Sequence, residues 1–268
     1  MRISVVIPTY NSMKTFRRCV ESARNQTSHF IEIIVVDRFS RDGLAGYAGS
    51  KGATVIQSDS NRSEARNIGL RKASSDGVLF IDADMILPPT LGEDCERGLV
   101  NNDALIIPEY SIGVGFWAAC KAAEKKLHIG DPLMEAARCF RRNVLLSMGG
   151  YRTQLEAGED WDLQRRLSTQ TLRIGRVNSV VLHDEGRLSL SSISRKKYLY
   201  GKSFGRYMRR NPKLGMSQVN PFRRIVSPGL RTLTVNPKLA VGLVIMKSLE
   251  LTSAAFGFAV GSNGQEYS

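Results

Sequence analysis

The first 84 residues alternate short apolar runs with amphipathic stretches, and this alternation restricts the fold more than any other feature of the sequence. Apolar runs at 3–7, 31–36, 54–56 and 78–81 predict four strands. Helical patterns follow Asn11-Ser12, cover about 42–51 and cover 63–73. Strands that alternate with helices predict a parallel sheet with right-handed crossovers.

The remainder of the chain has a mixed pattern. Strands are predicted at 105–108, 138–140 and 177–182, and helices at 116–127, 161–167 and 191–210. The last of these helices is basic and contains aromatic residues among its cations. We therefore expect an α/β fold with helices on both faces of the sheet, followed by a basic, mostly helical extension.

Polar residues follow three of the four predicted N-terminal strands. They are Thr9-Tyr10-Asn11, Asp37 and Asp82-Ala83-Asp84. Ligands of open parallel sheets bind outside the carboxyl ends of the strands, so these groups should meet where a nucleotide would lie. Asp82 and Asp84 are two residues apart and would point the same way on an extended backbone. Such a pair suits Mg²⁺ or Mn²⁺, although one Asp capping the next helix is the alternative.

The excess positive charge is concentrated near the C-terminus. The net charge is +13, and residues 186–249 hold 14 of the 38 Lys and Arg without a single Asp or Glu. The other 24 basic residues are matched by 25 acidic ones. Such a block predicts a polyanionic partner, either anionic lipid or nucleic acid.

The cysteine spacing and the N-terminal sequence indicate in which cellular compartment the protein works. Cys19, Cys95, Cys120 and Cys139 are widely spaced, which favours free thiols over a disulfide framework or a zinc site. Met1-Arg2-Ile3 leads into the first strand without a signal-peptide pattern. We expect a cytoplasmic protein, peripheral on the cytosolic face of the membrane.

Five motifs occur in a family's order and at its spacing. They are Ile7-Pro8-Thr9-Tyr10-Asn11, Val35-Val36-Asp37, Ala65-Arg66-Asn67 with Gly69, Asp82-Ala83-Asp84, and Gly149-Gly150-Tyr151 followed by Gly158-Glu159-Asp160. Over about residues 1–185 the chain resembles glycosyltransferase family 2, inverting enzymes of the GT-A fold that use nucleotide-sugar donors. The resemblance implies a Rossmann-like GT-A domain at 1–185, with a nucleotide-binding half at about 1–100 and an acceptor half at 101–185. Residues 186–268 form the extension.

The resemblance also implies a role for each donor-side residue. Thr9, Tyr10 and Asp37 would form the base pocket, Arg66 would hold the nucleotide end, and Asp82 would meet the ribose. Pro8 and Ala83 would be further donor-binding residues. Asp84 would bind Mn²⁺ or Mg²⁺, and His183 would complete the metal shell. The residue types leave structural alternatives open: a turn role for Asp37, a core position for Tyr10, a solvated or ion-paired Arg66 and a structural His183.

On the acceptor side, the resemblance makes Asp160 the general base, with Glu159 orienting Asp160 or the acceptor. Carboxylates in a first helical turn are also favoured by the helix dipole, which is the structural alternative. After Asp37 the chain departs from the family's pattern, because Arg38 replaces an acid and Phe39 a small residue. This departure weakens the predicted base and ribose contacts.

The apolar stretch at 238–262 has the composition of a membrane span, but Lys247 and Glu250 fall within it. Because they are three residues apart, we expect them to pair on one helical face, in a helix lying on the membrane or packed against the protein. The sequence therefore predicts a metal-dependent transferase that moves one sugar from a UDP- or GDP-sugar to a hydroxyl or phosphate of a lipid-linked or cell-surface glycan precursor. The alternatives are a nucleic-acid-binding protein, which the site acids disfavour, and a nucleotidyltransferase, whose usual Gly-rich loop is missing after the first strand.

Overall fold

The computed structural model is an α/β structure and describes residues 1–226, 230, 232 and 236–263. The strands are β1 Ile3–Thr9, β2 Glu32–Asp37, β3 Thr54–Gln57, β4 Gly77–Phe80, β5 Met85–Ile86, β6 Ala104–Ile106, β7 Glu109–Val114, β8 Ala137–Arg141, β9 Ile174–Arg176 and β10 Val181–Arg187. The helices are α1 Met13–Arg24, α2 Leu44–Ser50, α3 Arg62–Lys72, α4 Leu91–Asn101, α5 Phe116–Lys126, α6 Arg142–Ser147, α7 Glu159–Ser168, α8 Leu190–Arg210, α9 Pro212–Val219 and α10 Pro237–Asn263. A π-helical turn covers Phe222–Val226.

The main sheet has seven strands in the order β3-β2-β1-β4-β8-β6-β9. The first four strands are parallel, as the alternation predicts. Strand β8 pairs antiparallel with both β4 and β6, which makes the sheet mixed. A smaller sheet has the order β5-β10-β7.

Buried apolar residues cover both faces of the main sheet. Val5 and Ile7 of β1 belong to one buried cluster, and Val6 belongs to the other. Helix α1 buries Phe16, Cys19, Val20 and Ala23, which are the residues that its periodicity predicts. Helix α3 approaches β1 closely at Gly69, where a Cβ would lie 2.2 Å from Val6 Cγ1. The positions of these helices follow from apolar burial on both sides of the strands.

Two local predictions are wrong. Of the strand predicted at 177–182 only residues 181 and 182 are in a strand, since β9 ends at Arg176 and β10 begins at Val181 and continues to Arg187. Asp82, Ala83 and Asp84 do not continue β4 as extended backbone. They lie in a turn in which Met85 N donates to Asp82 O at 3.0 Å. The two carboxylates therefore face different partners.

The chain divides into two compact units. Unit 1 comprises residues 1–109, 135–153 and 163–184, and unit 2 comprises 110–134, 154–162 and 185–268. Unit 2 thus combines the C-terminal segment with two earlier pieces of the chain. The domain boundary predicted at 185/186 stays a prediction, and residues 264–268 of the extension lie outside the described part.

In unit 2, α8 and α10 pack extensively against each other, and α10 also contacts α5. Tyr198 of α8 lies 5.8 Å from Phe256 of α10, measured between ring centroids. Tyr207 is fully buried, and its hydroxyl donates to Gln218 Oε1 at 2.8 Å. The basic helix predicted at 191–210 is confirmed, but some of its aromatic residues are core rather than surface residues.

Candidate active site

The D-x-D turn in unit 1 carries its two carboxylates in different environments. Asp82 Oδ1 accepts from Arg66 Nη2 at 2.9 Å, and Asp82 Oδ2 lies 3.6 Å from Arg138 Nη1. Burial by itself raises the pKa of Asp82, but the Arg66 and Arg138 guanidiniums outweigh burial and hold that pKa well below its usual range. Asp82 is therefore an ionised and firmly held carboxylate.

Arg66 is an ion-paired residue of the protein interior. It lies on α3, its side chain is almost completely buried, and its guanidinium carbon lies 5.0 Å from the centroid of the Tyr151 ring. The alternative of a solvated Arg66 is therefore excluded. A planar guanidinium fixed between a carboxylate and an aromatic ring is a preorganised positive charge beside the D-x-D turn.

Asp84 and His183 come together across the smaller sheet. His183 of β10 pairs in register with Met85 of β5, and Asp184 N donates to Asp84 O at 2.8 Å. These backbone contacts place His183 Nε2 3.1 Å from Asp84 Oδ2. The other carboxylate oxygen, Asp84 Oδ1, is buried and accepts no hydrogen bond from any residue that the structure describes.

This arrangement fits a divalent cation that has few protein ligands. An unpartnered buried carboxylate oxygen and a neighbouring imidazole are acceptable donors for Mn²⁺ or Mg²⁺. Within the described ranges, no group of three or more His, Cys, Asp or Glu side chains is placed to hold a metal. Water and donor phosphate oxygens would have to complete the shell, as is usual for Mg²⁺ at phosphate sites.

Two charged residues beside the D-x-D turn were not predicted as site residues. Glu109 begins β7 and Arg138 lies on β8, and Arg138 Nε donates to Glu109 Oε1 at 2.5 Å. Glu109 Oε2 lies 3.6 Å from His183 Nδ1. Both residues lie in segments that the sequence predicts only as strand or strand end, so apolar periodicity gave no signal for them.

The predicted base pocket lies at the carboxyl ends of β1 and β2. Thr9 and Asp37 are register partners, and Thr9 Oγ1 donates to Asp37 Oδ1 at 2.9 Å. Ser40 N donates to Asp37 Oδ2 at 2.9 Å. Asp37 is fully buried and thus organises the turn that follows β2.

The two residues that flank this turn are exposed. Tyr10 is 61% exposed, which excludes its alternative as a core residue, and the Arg38 guanidinium carbon lies 5.8 Å from its ring centroid. Phe39 is 53% exposed and has a φ of +50°, a left-handed conformation that a non-glycine residue adopts only at a cost. The small residue of the family's pattern would carry this backbone without strain. Pro8 lies within β1, and Ala83 lies in the D-x-D turn.

Glu159 and Asp160 belong to unit 2, where they open α7. Asp162 N donates to Gly158 O at 2.9 Å, and Gly158 has a φ of +80°. A Cβ on Gly158 would lie 2.8 Å from Tyr207 Cγ, so the start of α7 packs tightly on α8. Trp161 Nε1 donates to Met134 O at 3.2 Å. Glu159 is buried and Asp160 half-buried, which leaves Asp160 the more accessible carboxylate.

Comparison with known proteins supports the resemblance that the motifs carry. The sequence model described as "Glycosyl transferase family 2" matches residues 4–123, a segment that runs from β1 through the D-x-D turn into α5. The predicted resemblance to glycosyltransferase family 2 is confirmed for this segment. An uncharacterised glycosyltransferase of Haemophilus influenzae is 27% identical over 183 residues, which cover 62% of this chain and 61% of that protein.

Two further similar proteins are named enzymes. The poly(ribitol-phosphate) β-N-acetylglucosaminyltransferase TarP of Staphylococcus aureus is 32% identical over 121 residues, covering 41% of this chain and 37% of TarP. The mannosyltransferase PcManGT of Pyrobaculum calidifontis, solved with GDP-Man and Mn²⁺, has a TM-score of 0.62 at 17% identity over 96% of this chain and 87% of that one. The predicted GT-A fold is confirmed. The matched part spans less than two thirds of the length of either curated relative.

Proposed function

We propose that this protein is a metal-dependent inverting glycosyltransferase that moves one sugar from a UDP- or GDP-sugar to an acceptor hydroxyl or phosphate. The observation that carries the proposal is the D-x-D turn, where Asp84 Oδ1 is buried without a hydrogen-bond donor among the described residues and His183 Nε2 lies 3.1 Å from Asp84 Oδ2. The match of residues 4–123 to the glycosyltransferase family 2 model and the Mn²⁺ complex of PcManGT support a divalent cation at this turn.

On the donor side, each residue has a distinct task in the proposal. Pro8, Thr9, Tyr10 and Asp37 border the base, and Asp82 with Ala83 meets the ribose. Arg66, held by Asp82, places its positive charge near the diphosphate. Asp84 and His183 hold Mn²⁺ or Mg²⁺, which when bound would neutralise charge on the leaving diphosphate.

On the acceptor side, Asp160 takes the proton of the acceptor hydroxyl. The acceptor oxygen then forms a bond to the anomeric carbon as the bond to the diphosphate oxygen breaks, and the nucleoside diphosphate leaves. A single displacement of this kind inverts the anomeric centre. Glu159, which is buried beside Asp160, orients that carboxylate or the acceptor.

A donor screen tests this reaction. Release of UDP or GDP from a panel of nucleotide sugars is measured with Mn²⁺ or Mg²⁺ and with acceptor added. We expect Asp84→Ala and Asp160→Asn each to reduce turnover at least about 100-fold, as is typical when a general base or metal ligand is removed. Glu93→Gln, which removes an exposed acid of α4, is the matched control and should keep wild-type turnover. Full turnover in both site variants would refute the mechanism.

We further propose that unit 2 docks on an anionic membrane surface, as a peripheral protein on the cytosolic face. Helix α10 is long and apolar enough to cross a membrane by length and composition, which alone does not distinguish a span from a core helix. Its exposed side carries Val241, Val244, Ile245 and Phe256. Exposed cations of α8, among them Lys196 and Arg209, supply the complementary charge.

This location favours a lipid-linked or cell-surface glycan precursor as acceptor. Flotation of the full chain with vesicles containing anionic lipid tests the docking. We expect binding that weakens with salt and falls in a Val244→Ser/Phe256→Ser variant, whereas neutral vesicles should bind little. Absence of flotation would refute membrane docking. Tight, salt-sensitive gel shifts with RNA or DNA in place of flotation would support the nucleic-acid alternative.

A further inference from the structure

The two carboxylate oxygens of Glu109 have different partners in unit 1. Oε1 accepts from Arg138 Nε at 2.5 Å and also forms a close ion pair with Arg138 Nη2. Oε2 faces His183 Nδ1 at 3.6 Å. The arginine therefore fixes the orientation of the carboxylate, and this orientation presents the second oxygen to the imidazole.

The same arginine connects Glu109 to the other end of the D-x-D turn. Arg138 Nη1 lies 3.6 Å from Asp82 Oδ2, while His183 Nε2 lies 3.1 Å from Asp84 Oδ2. A continuous series of charged contacts thus runs from Asp82 through Arg138, Glu109 and His183 to Asp84. Side chains of Arg138, Glu109 and His183 are each less than one-fifth exposed, so solvent screens these contacts little.

We propose that Glu109 is a positioning residue for the metal site. Glu109 holds the His183 ring with Nδ1 toward its own Oε2, which leaves Nε2 directed at Asp84 and available to the cation. This inference rests on the proposed function, because it takes Asp84 and His183 as the metal ligands. A carboxylate on the far nitrogen of a ligating imidazole fixes the ring and its tautomer and makes the ligand more basic.

The chain offers a matched control for the arginine pair. Glu135 of unit 1 pairs with Arg176 through two contacts, one of them at 2.9 Å, and its side chain is about as buried as that of Glu109. If Glu109 served only to neutralise an arginine, Glu109→Gln and Glu135→Gln would change the protein in the same way. A difference confined to Glu109→Gln would act either through the contact with His183 or through the contact of Arg138 with Asp82, and the tautomer of His183 separates these two routes.

Binding of Mn²⁺ in the presence of UDP, and in parallel GDP, tests the proposal, with free Mn²⁺ followed by its electron paramagnetic resonance signal. We expect Glu109→Gln to weaken Mn²⁺ binding about 10- to 100-fold, the usual effect of losing an outer-shell partner. Glu135→Gln should bind Mn²⁺ as the wild type does. Wild-type Mn²⁺ affinity in folded Glu109→Gln would overturn the inference and leave the proposed function intact. No Mn²⁺ binding by the wild-type protein would instead overturn the proposed metal site itself.

A second measurement does not depend on the folding of Glu109→Gln. Long-range ¹H–¹⁵N spectra of the wild-type protein with Mg²⁺ and UDP or GDP report the tautomer of His183, assigned by its loss in His183→Asn. We expect the proton on Nδ1, the nitrogen that faces Glu109. A proton on Nε2 in the Mg²⁺ complex would overturn the inference.

Discussion

Six charged side chains lie together inside unit 2, and the excess of cations over carboxylates among them gives the sharpest stability prediction. They are Lys121 and Glu124 of α5, Lys197 of α8, Arg224 of the π-helical turn, and Lys247 and Glu250 of α10. Lys121 Nζ donates to Glu124 Oε2 at 2.7 Å and to Glu250 Oε1 at 2.9 Å. Four cations thus share two carboxylates, so each carboxylate stabilises several cations.

The imbalance predicts opposite results for two substitutions. Glu250 contacts Lys121 at 2.9 Å and Lys197 at 3.9 Å and forms a close pair with Lys247. Glu250→Gln leaves three lysines beside one remaining carboxylate, and breaking such a buried pair costs about 3–5 kcal/mol of unfolding free energy. Lys197→Met removes one of the four cations that share two carboxylates. It should therefore leave the unfolding free energy nearly unchanged or raise it.

Lys197 makes the unfolding free energy depend on pH. Burial, together with Lys121, Lys247 and Arg224, outweighs Glu250 and lowers the pKa of Lys197 to about 7. Between pH 7 and the ordinary lysine pKa of about 10.4, the unfolded chain binds more protons at Lys197 than the native protein, so stability rises with pH. The full difference corresponds to at most about 5 kcal/mol, and solvent contact of this quarter-exposed side chain reduces it to about 1–2 kcal/mol. Lys197→Met should therefore be more stable than wild type at pH 6, with an advantage that shrinks toward pH 10.

Urea unfolding at pH 6, 7 and 9, followed by circular dichroism, measures these differences. Glu93→Gln serves as an exposed-acid control, which should stay within about 0.5 kcal/mol of wild type. The reasoning fails if Lys197→Met loses more stability than Glu250→Gln, or if the Lys197→Met advantage grows as the pH rises.

Three glycine-related positions give further predictions. Gly69→Ala should lose about 1–3 kcal/mol in urea unfolding, because its Cβ would lie 2.2 Å from Val6 Cγ1, and Val6→Ala in the same chain should recover part of that loss. Phe39→Gly should raise the unfolding free energy by roughly 0.5–1 kcal/mol, since the left-handed strain exceeds the extra entropy of glycine; a loss above 1 kcal/mol would contradict this. Gly158→Ala should lower both thermal stability and turnover, because its Cβ would meet Tyr207 at 2.8 Å one residue before Glu159, and unchanged turnover would argue against a role for this helix start in catalysis.

The sequence predicts the parts of the fold that depend on local periodicity. The buried face of α1 and the parallel order of β1, β2 and β4 follow from apolar spacing and strand–helix alternation. The conformation of Asp82 and Asp84 does not, because a turn and an extended strand end place the same residues at the same spacing.

Glu109 and Arg138 show why part of the candidate site escapes sequence reasoning. They are 29 residues apart, and each neighbours the D-x-D turn only because β8 pairs antiparallel with β4 and because β7 and β5 both flank β10. No periodicity encodes such a pairing, whereas motif order finds Asp84 and Asp160 directly. Charged residues on short strands beside a recognised motif are therefore the positions where structure adds most to the site.

Helix α10 is a second example of a long-range contact that the sequence does not predict. The spacing of Lys247 and Glu250 predicts their mutual ion pair, which is confirmed, but not that Glu124 of α5 accepts from Lys247 Nζ at 2.6 Å. That contact turns the charged side of the helix inward, so the exposed side carries apolar residues such as Val241 and Phe256. A helix that buries its charges in its own protein and exposes its apolar side suits a surface that lies against lipid. Lys247 and Glu250, which argue against a membrane span from composition alone, are thus compatible with contact between this helix and a membrane surface.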